Sequence, residues 1–147
     1  MAEDAVVIRR TIPAPADRVF DAWIDPEQLA RWMSPVGHAV ADVDARVGGR
    51  IRVTMVGDGR SIEHSGEYLA IERPRRLVFS WRSPYTGGVA SRVTVELIDG
   101  AGGTELTLRH ELLPPEAVGS HAGGWDSMLD RLSSLLFPAN QEVASGA

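Results

Sequence analysis

His64 and His110 are the residues of this chain best suited to move protons, because imidazole is the side chain that titrates near neutral pH. Tyr68 stands four residues after His64, and in an extended segment that spacing puts both on one face. His110 shares parity with Leu106 and Leu108, so it too would point inward from its strand. Such a set could act as general acid and base, or orient a polar group of a bound ligand. It could equally be a pair of core histidines bonded to a backbone carbonyl or to Tyr68. Metal binding is not expected, since His38, His64, His110 and His121 show no paired ligand spacing and cysteine is absent. The lack of cysteine also excludes disulfides and thiolate nucleophiles. All fifteen basic residues are arginine, which excludes Schiff-base chemistry, pyridoxal-phosphate attachment and a P-loop lysine. A genome rich in G and C gives the same bias without any functional cause. No Gly-x-Ser-x-Gly string occurs, and the paired glycines sit in turn-like contexts rather than ahead of helices, so no cofactor is implied.

The elements that must position these residues can be read from the apolar pattern. Val6 to Ile12 alternates as a half-buried strand should. Pro15 suits a first helical position, with Val19, Phe20 and Trp23 on one face. Asp25-Pro26 then starts afresh with an aspartate cap, and Leu29 and Trp32 follow three apart. Pro26 would break a continuous helix, so two short helices are expected. Beyond them the period becomes two. Strands are predicted at His38–Asp44, Arg50–Val56, Ile62–Ile71, Arg76–Arg82, Ala90–Ile98 and Thr104–Glu111, joined by short turns rich in glycine or proline. Trp125, Met128, Leu129, Leu132, Leu135 and Leu136 recur at helical spacing over roughly four turns. Pro138 ends that helix, which is the only element long enough to cover the sheet. The expected fold class is therefore α+β: a seven-stranded curved antiparallel sheet, two short helices, and a long C-terminal helix packed across it. Residues 1–138 would form a single domain and 139–147 a frayed tail.

Several strings, in this order and spacing, resemble a known family. They are Pro13-Ala14-Pro15-Ala16-Asp17-Arg18-Val19-Phe20-Asp21-Ala22-Trp23, Leu29-Ala30-Arg31-Trp32-Met33, Gly66-Glu67-Tyr68, and Pro74 to Trp81. Gly102-Gly103-Thr104-Glu105-Leu106 and the run from His121 to Trp125 complete them. Together they are similar to the START-like helix-grip superfamily, also called SRPBCC, over about residues 5 to 137. The branch is the one named after the C-terminal domain of the activator of the 90-kDa heat-shock chaperone ATPase. The resemblance implies a helix gripping a curved sheet over a ligand-sized cavity. It implies no single activity, because the superfamily holds lipid carriers, hormone receptors, cyclases and chaperone co-factors. The activator's separate chaperone-binding domain would have no room in 147 residues.

Strand parity and helix stripe together nominate the lining of such a cavity: Trp32, Met33, Met55, His64, Tyr68, Phe79, Trp81, His110, Trp125, Met128 and Leu129. An aromatic, methionine-rich surface with a few polar groups suits a hydrophobic or aromatic small molecule. The same side chains could also simply fill a solid core. The glycines Gly123-Gly124, near the expected start of the long helix, suggest close packing against a strand or a lid role for Trp125. The formal charge of −5 argues against nucleic acid, which needs a basic surface. No apolar stretch approaches the ~20 residues that cross a bilayer. With no signal-like N-terminus, a cytoplasmic protein is the expectation. Three readings follow. The first is a non-catalytic binder of a hydrophobic or aromatic molecule. The second is an enzyme of the cyclase or dehydratase type using His64, Tyr68 or His110. The third is a protein-interaction module, for which Val78 and Ile98 are the large apolar residues facing outward on their strands. Pairing into a homodimer through an edge strand or helix stays open.

Overall fold

β1 (Val6–Ile12) opens the fold, and α1 (Ala16–Ile24) follows with Pro15 at its N-cap, one position earlier than expected. The computed structural model describes residues 5–136, so Pro138 and the expected tail lie outside the described residues. Asp25 ends α1 and caps α2 (Pro26–Trp32), its carboxylate accepting from the Glu27 N–H at 3.1 Å. This cap, with Pro26 directly after it, is what splits the helical segment in two.

The remaining strands are β2 (His38–Val43), β3 (Arg50–Gly57), β4 (Arg60–Glu72), β5 (Arg76–Trp81), β6 (Ser91–Gly100) and β7 (Gly103–Glu111). Each lies within two residues of its predicted span. They form one antiparallel sheet in the order β1-β7-β6-β5-β4-β3-β2. The hairpins run as a meander from β2 to β7, and β1 adds to the free side of β7.

One irregularity matters to what faces inward. Tyr68 pairs with Phe79, but Ala70 pairs with Val78, so Leu69 is an extra residue in β4. A bulge of this kind reverses parity, which brings both Tyr68 and Ile71 against the core and turns Leu69 outward. Nearby, a Cβ on Gly66 would stand 1.7 Å from the Ser80 carbonyl oxygen. Only glycine permits β4 and β5 to approach so closely there.

The long helix, α3 (Val118–Leu136), is 19 residues and begins upstream of the apolar stripe that predicted it. Gly119, Gly123 and Gly124 lie within its first two turns. The close packing expected at Gly123 and Gly124 is absent, for a Cβ on either would meet no atom of the described residues within 4 Å. Arg10 of β1 forms ion pairs with Asp126 and Asp130, one turn apart on α3. Arg131 donates from the other flank to the carbonyls of Ser34 and Gly37, the latter at 2.9 Å. These contacts fix the rotation of α3 about its axis; exposed pairs like those of Arg10 add little stability.

Val78 faces outward but is buried, because β5 is the middle strand and Ala70 and Thr94 flank it from both sides. Only Ile98, 69% exposed, remains of the expected outer pair. No helix among the described residues is long and apolar enough to cross a membrane.

Candidate functional site

Beneath α3 the interior has two parts. Toward the C-terminal half of the helix the aromatic residues are packed solid. Trp23 meets Trp32 edge-on at 4.6 Å between ring centres, Trp125 at 5.9 Å and Phe79 at 6.3 Å. Leu129, Leu132, Trp32 and Met33 have no exposed surface. Burial of each such side chain contributes about 1.5–3 kcal/mol. The Trp32 indole N–H donates to the Ala22 carbonyl at 2.9 Å, tying α2 to α1.

Toward the N-terminal half lies a cavity of about 270 Å³. Trp81 and Trp125, 6.3 Å apart, form the partition between core and cavity. One face of α3 supplies Ser120, His121, Gly124, Trp125 and Met128, spaced as a helix requires. The sheet supplies Met55, His64 and Trp81, and two loops supply Pro35 and Tyr85. Gly37 shapes the first of these loops. Its φ is +65°, and a Cβ there would stand 2.0 Å from the Val56 carbonyl oxygen, so the loop can lie directly on β3. The other loop holds a single 3-10 turn, Pro84–Thr86, closed by a capping box between Ser83 and Thr86.

Of the eleven residues that parity nominated, five border the cavity: Met55, His64, Trp81, Trp125 and Met128. Trp32, Met33, Tyr68, Phe79, His110 and Leu129 face inward as expected but are packed against their neighbours. Tyr68 lies against Phe79 rather than beside the histidines. Its buried hydroxyl has no hydrogen-bond partner among the described residues, and burial pushes its pKa upward, so it stays protonated. Pro35, Tyr85, Ser120, His121 and Gly124 were not foreseen as lining. They come from loops and from a helical turn without an apolar stripe, where periodicity carries no signal.

The histidines separate into distinct roles. Trp125 Nε1–H donates to His110 Nδ1 at 3.0 Å. Indole nitrogen can only donate, so in the neutral ring the His110 proton is on Nε2, which donates to Ser91 Oγ at 2.7 Å. Ser91 in turn donates to the Trp81 carbonyl at 2.6 Å. Both nitrogens of His110 are thus committed, to a tryptophan and a serine rather than to the backbone or Tyr68. Burial pushes its pKa down to about 3, with the nearby His121 and His64 adding to the shift. His64 stacks on Trp81 at 5.1 Å, and its buried Nδ1 has no hydrogen-bond partner among the described residues. Burial lowers its pKa to about 4, with the backbone at Ile62 opposing and His121 reinforcing the shift. His121 packs edge-on against His110 at 5.1 Å, and its Nδ1 bonds to the Ala117 carbonyl at 2.8 Å. Among the described residues no three metal-binding side chains are arranged to hold an ion.

The chain matches the family model of Activator of Hsp90 ATPase homolog 1-like proteins over residues 13–136. No curated protein matches it. Among solved structures, a protein from Chromobacterium violaceum is 29% identical, with 92% of this chain and 98% of that one aligned and a TM-score of 0.78. CalU16 from Micromonospora echinospora is 30% identical over 89% of this chain and 73% of its own, with a TM-score of 0.70. DynU16, of the dynemicin biosynthetic locus, is 27% identical over 92% of this chain and 48% of its own, with a TM-score of 0.76. A match over most of the length, on the helix-grip architecture described above, identifies the chain as a member of the Activator of Hsp90 ATPase homolog 1-like family.

Proposed function

We propose that this protein binds a hydrophobic or aromatic small molecule beneath the first turns of α3. The observation that carries the reading is the cavity itself: about 270 Å³ bounded by Trp81, Trp125, Met55 and Met128, with two imidazoles at its edge. Small-ligand sites are mostly apolar concavities with a few placed polar groups, and this space lies near the lower end of their size range. The likeness to DynU16, which belongs to a biosynthetic locus, accords with a small-molecule partner.

Binding without chemistry is favoured over a cyclase or dehydratase by the state of the acid–base groups. His110 has both nitrogens occupied, Tyr68 is packed away from the cavity, and His64 at about 4 is a weak base near neutral pH. An interaction module is not favoured either, since exposed apolar residues such as Val7, Val40, Leu69 and Ile98 are scattered over separate strands. Thermal-shift measurements with a panel of lipids and aromatic metabolites test the proposal. Stabilisation by at least one class, lost on Met128→Trp, which fills the cavity, is the expected result. No shift with any compound would refute it.

A further inference from the structure

We infer that the ligand is a neutral aromatic compound carrying a hydrogen-bond donor, of the phenol type, held by acceptors on α3; this rests on the small-molecule reading above. Ser120 Oγ and His121 Nδ1 both donate to one carbonyl, that of Ala117, at 3.1 and 2.8 Å. A carbonyl only accepts, so the proton of each group lies on that bond. What Ser120 and the Nδ1–H tautomer of His121 have left is lone pairs, on the hydroxyl oxygen and on Nε2. The one N–H donor among the α3 side chains named at the cavity, that of Trp125, is already engaged with His110. The α3 wall of the cavity is therefore an accepting surface.

An accepting wall discriminates among ligands of one shape. An O–H or N–H satisfies it. An ether or ester brings only further lone pairs and offers these acceptors no donor. A carboxylate fares worse, because among the described residues no arginine borders the cavity to balance its charge. The apolar walls select the body of the molecule. Trp81, Trp125 and His64 offer ring faces and edges, and the methionines Met55 and Met128 adapt around a flat ring.

The test uses the whole chain and three probes with a common ring: 2-naphthol, 2-methoxynaphthalene and 2-naphthoate, titrated calorimetrically at neutral pH. Naphthol is expected to bind about tenfold tighter than its methyl ether, the scale of one buried hydrogen bond, with naphthoate weakest. In His121→Phe the advantage of naphthol over the ether should collapse while the ether binds as before. Ser120→Ala, at an exposed position, should reduce the same advantage by less. Equal binding of naphthol and ether, or tightest binding of naphthoate, overturns the donor inference and leaves the cavity as a ligand site. Failure of all three probes to bind counts against both readings.

Discussion

Under the C-terminal half of α3, Leu129 and Leu132 meet α1, α2 and the sheet with no exposed surface, whereas under its N-terminal half Ser120, His121 and Gly124 border open space. One helix covers one sheet in two ways, and the difference lies in side-chain volume. Leucine and tryptophan fill the gap between helix and sheet at one end. Glycine and serine cannot reach across it at the other. Trp125 stands at the changeover, held by its bond to His110. In this chain the leucine-rich half of the covering helix supplies most of its buried side chains, and the other half borders the cavity.

The sharpest way to break this comparison is to truncate neighbouring residues on the two sides. Leu129→Ala should cost about 2–5 kcal/mol in urea unfolding, the usual range for a buried leucine whose surroundings cannot collapse. Met128→Ala, bordering space that already exists, should cost less than half as much. Equal losses would mean that the two ends are packed alike.

Acid should weaken the cavity end next. His64 at about 4 and His110 at about 3 lie below the ordinary 6.5, so both are neutral in the folded state. The unfolded chain takes up their protons from pH 6.5 downward while the folded chain does not, so stability falls as pH falls. Between pH 7 and pH 5 the loss is on the order of 2 kcal/mol for each histidine. Unfolding of wild type and His64→Phe at both pH values checks this; the variant should lose about half of the dependence.

The smallest effects come from the glycines. Gly123→Ala should raise stability by up to about 1 kcal/mol, since helix propensity improves and the added methyl meets nothing. Gly124→Ala should gain a similar amount while narrowing the cavity, and so weaken ligand binding. A Gly124→Ala variant that binds as well as wild type would move the ligand away from α3.

The sheet was legible because alternation and hairpin glycines are local signals. All seven strands follow from them, and only the bulge at Leu69 escaped, being one residue without a composition of its own. The first residues of α3 were not legible: the sequence points to a helix start near His121 and Gly123-Gly124, whereas Gly119 and Ser120, with the composition of a loop, are helical as well. The site was half legible for a different reason. Parity tells which side chains face inward, and it placed Met55, His64 and Trp81 on the inner side of the sheet. It cannot tell packed from open, because that depends on summed volumes from elements distant in sequence. His110 illustrates the limit: its partners, Ser91 and Trp125, lie 19 and 15 residues away in the chain.

The row of indoles has an optical consequence. Trp32, Trp23, Trp125 and Trp81 stand at successive ring separations of 4.6, 5.9 and 6.3 Å, running from α2 to the cavity. Chromophores this close share excitation, so light absorbed by any one of them can migrate along the row. A molecule seated against Trp81 or Trp125 would then dim the emission of all four. Native fluorescence becomes an intrinsic gauge of occupancy, with no label and no added reporter.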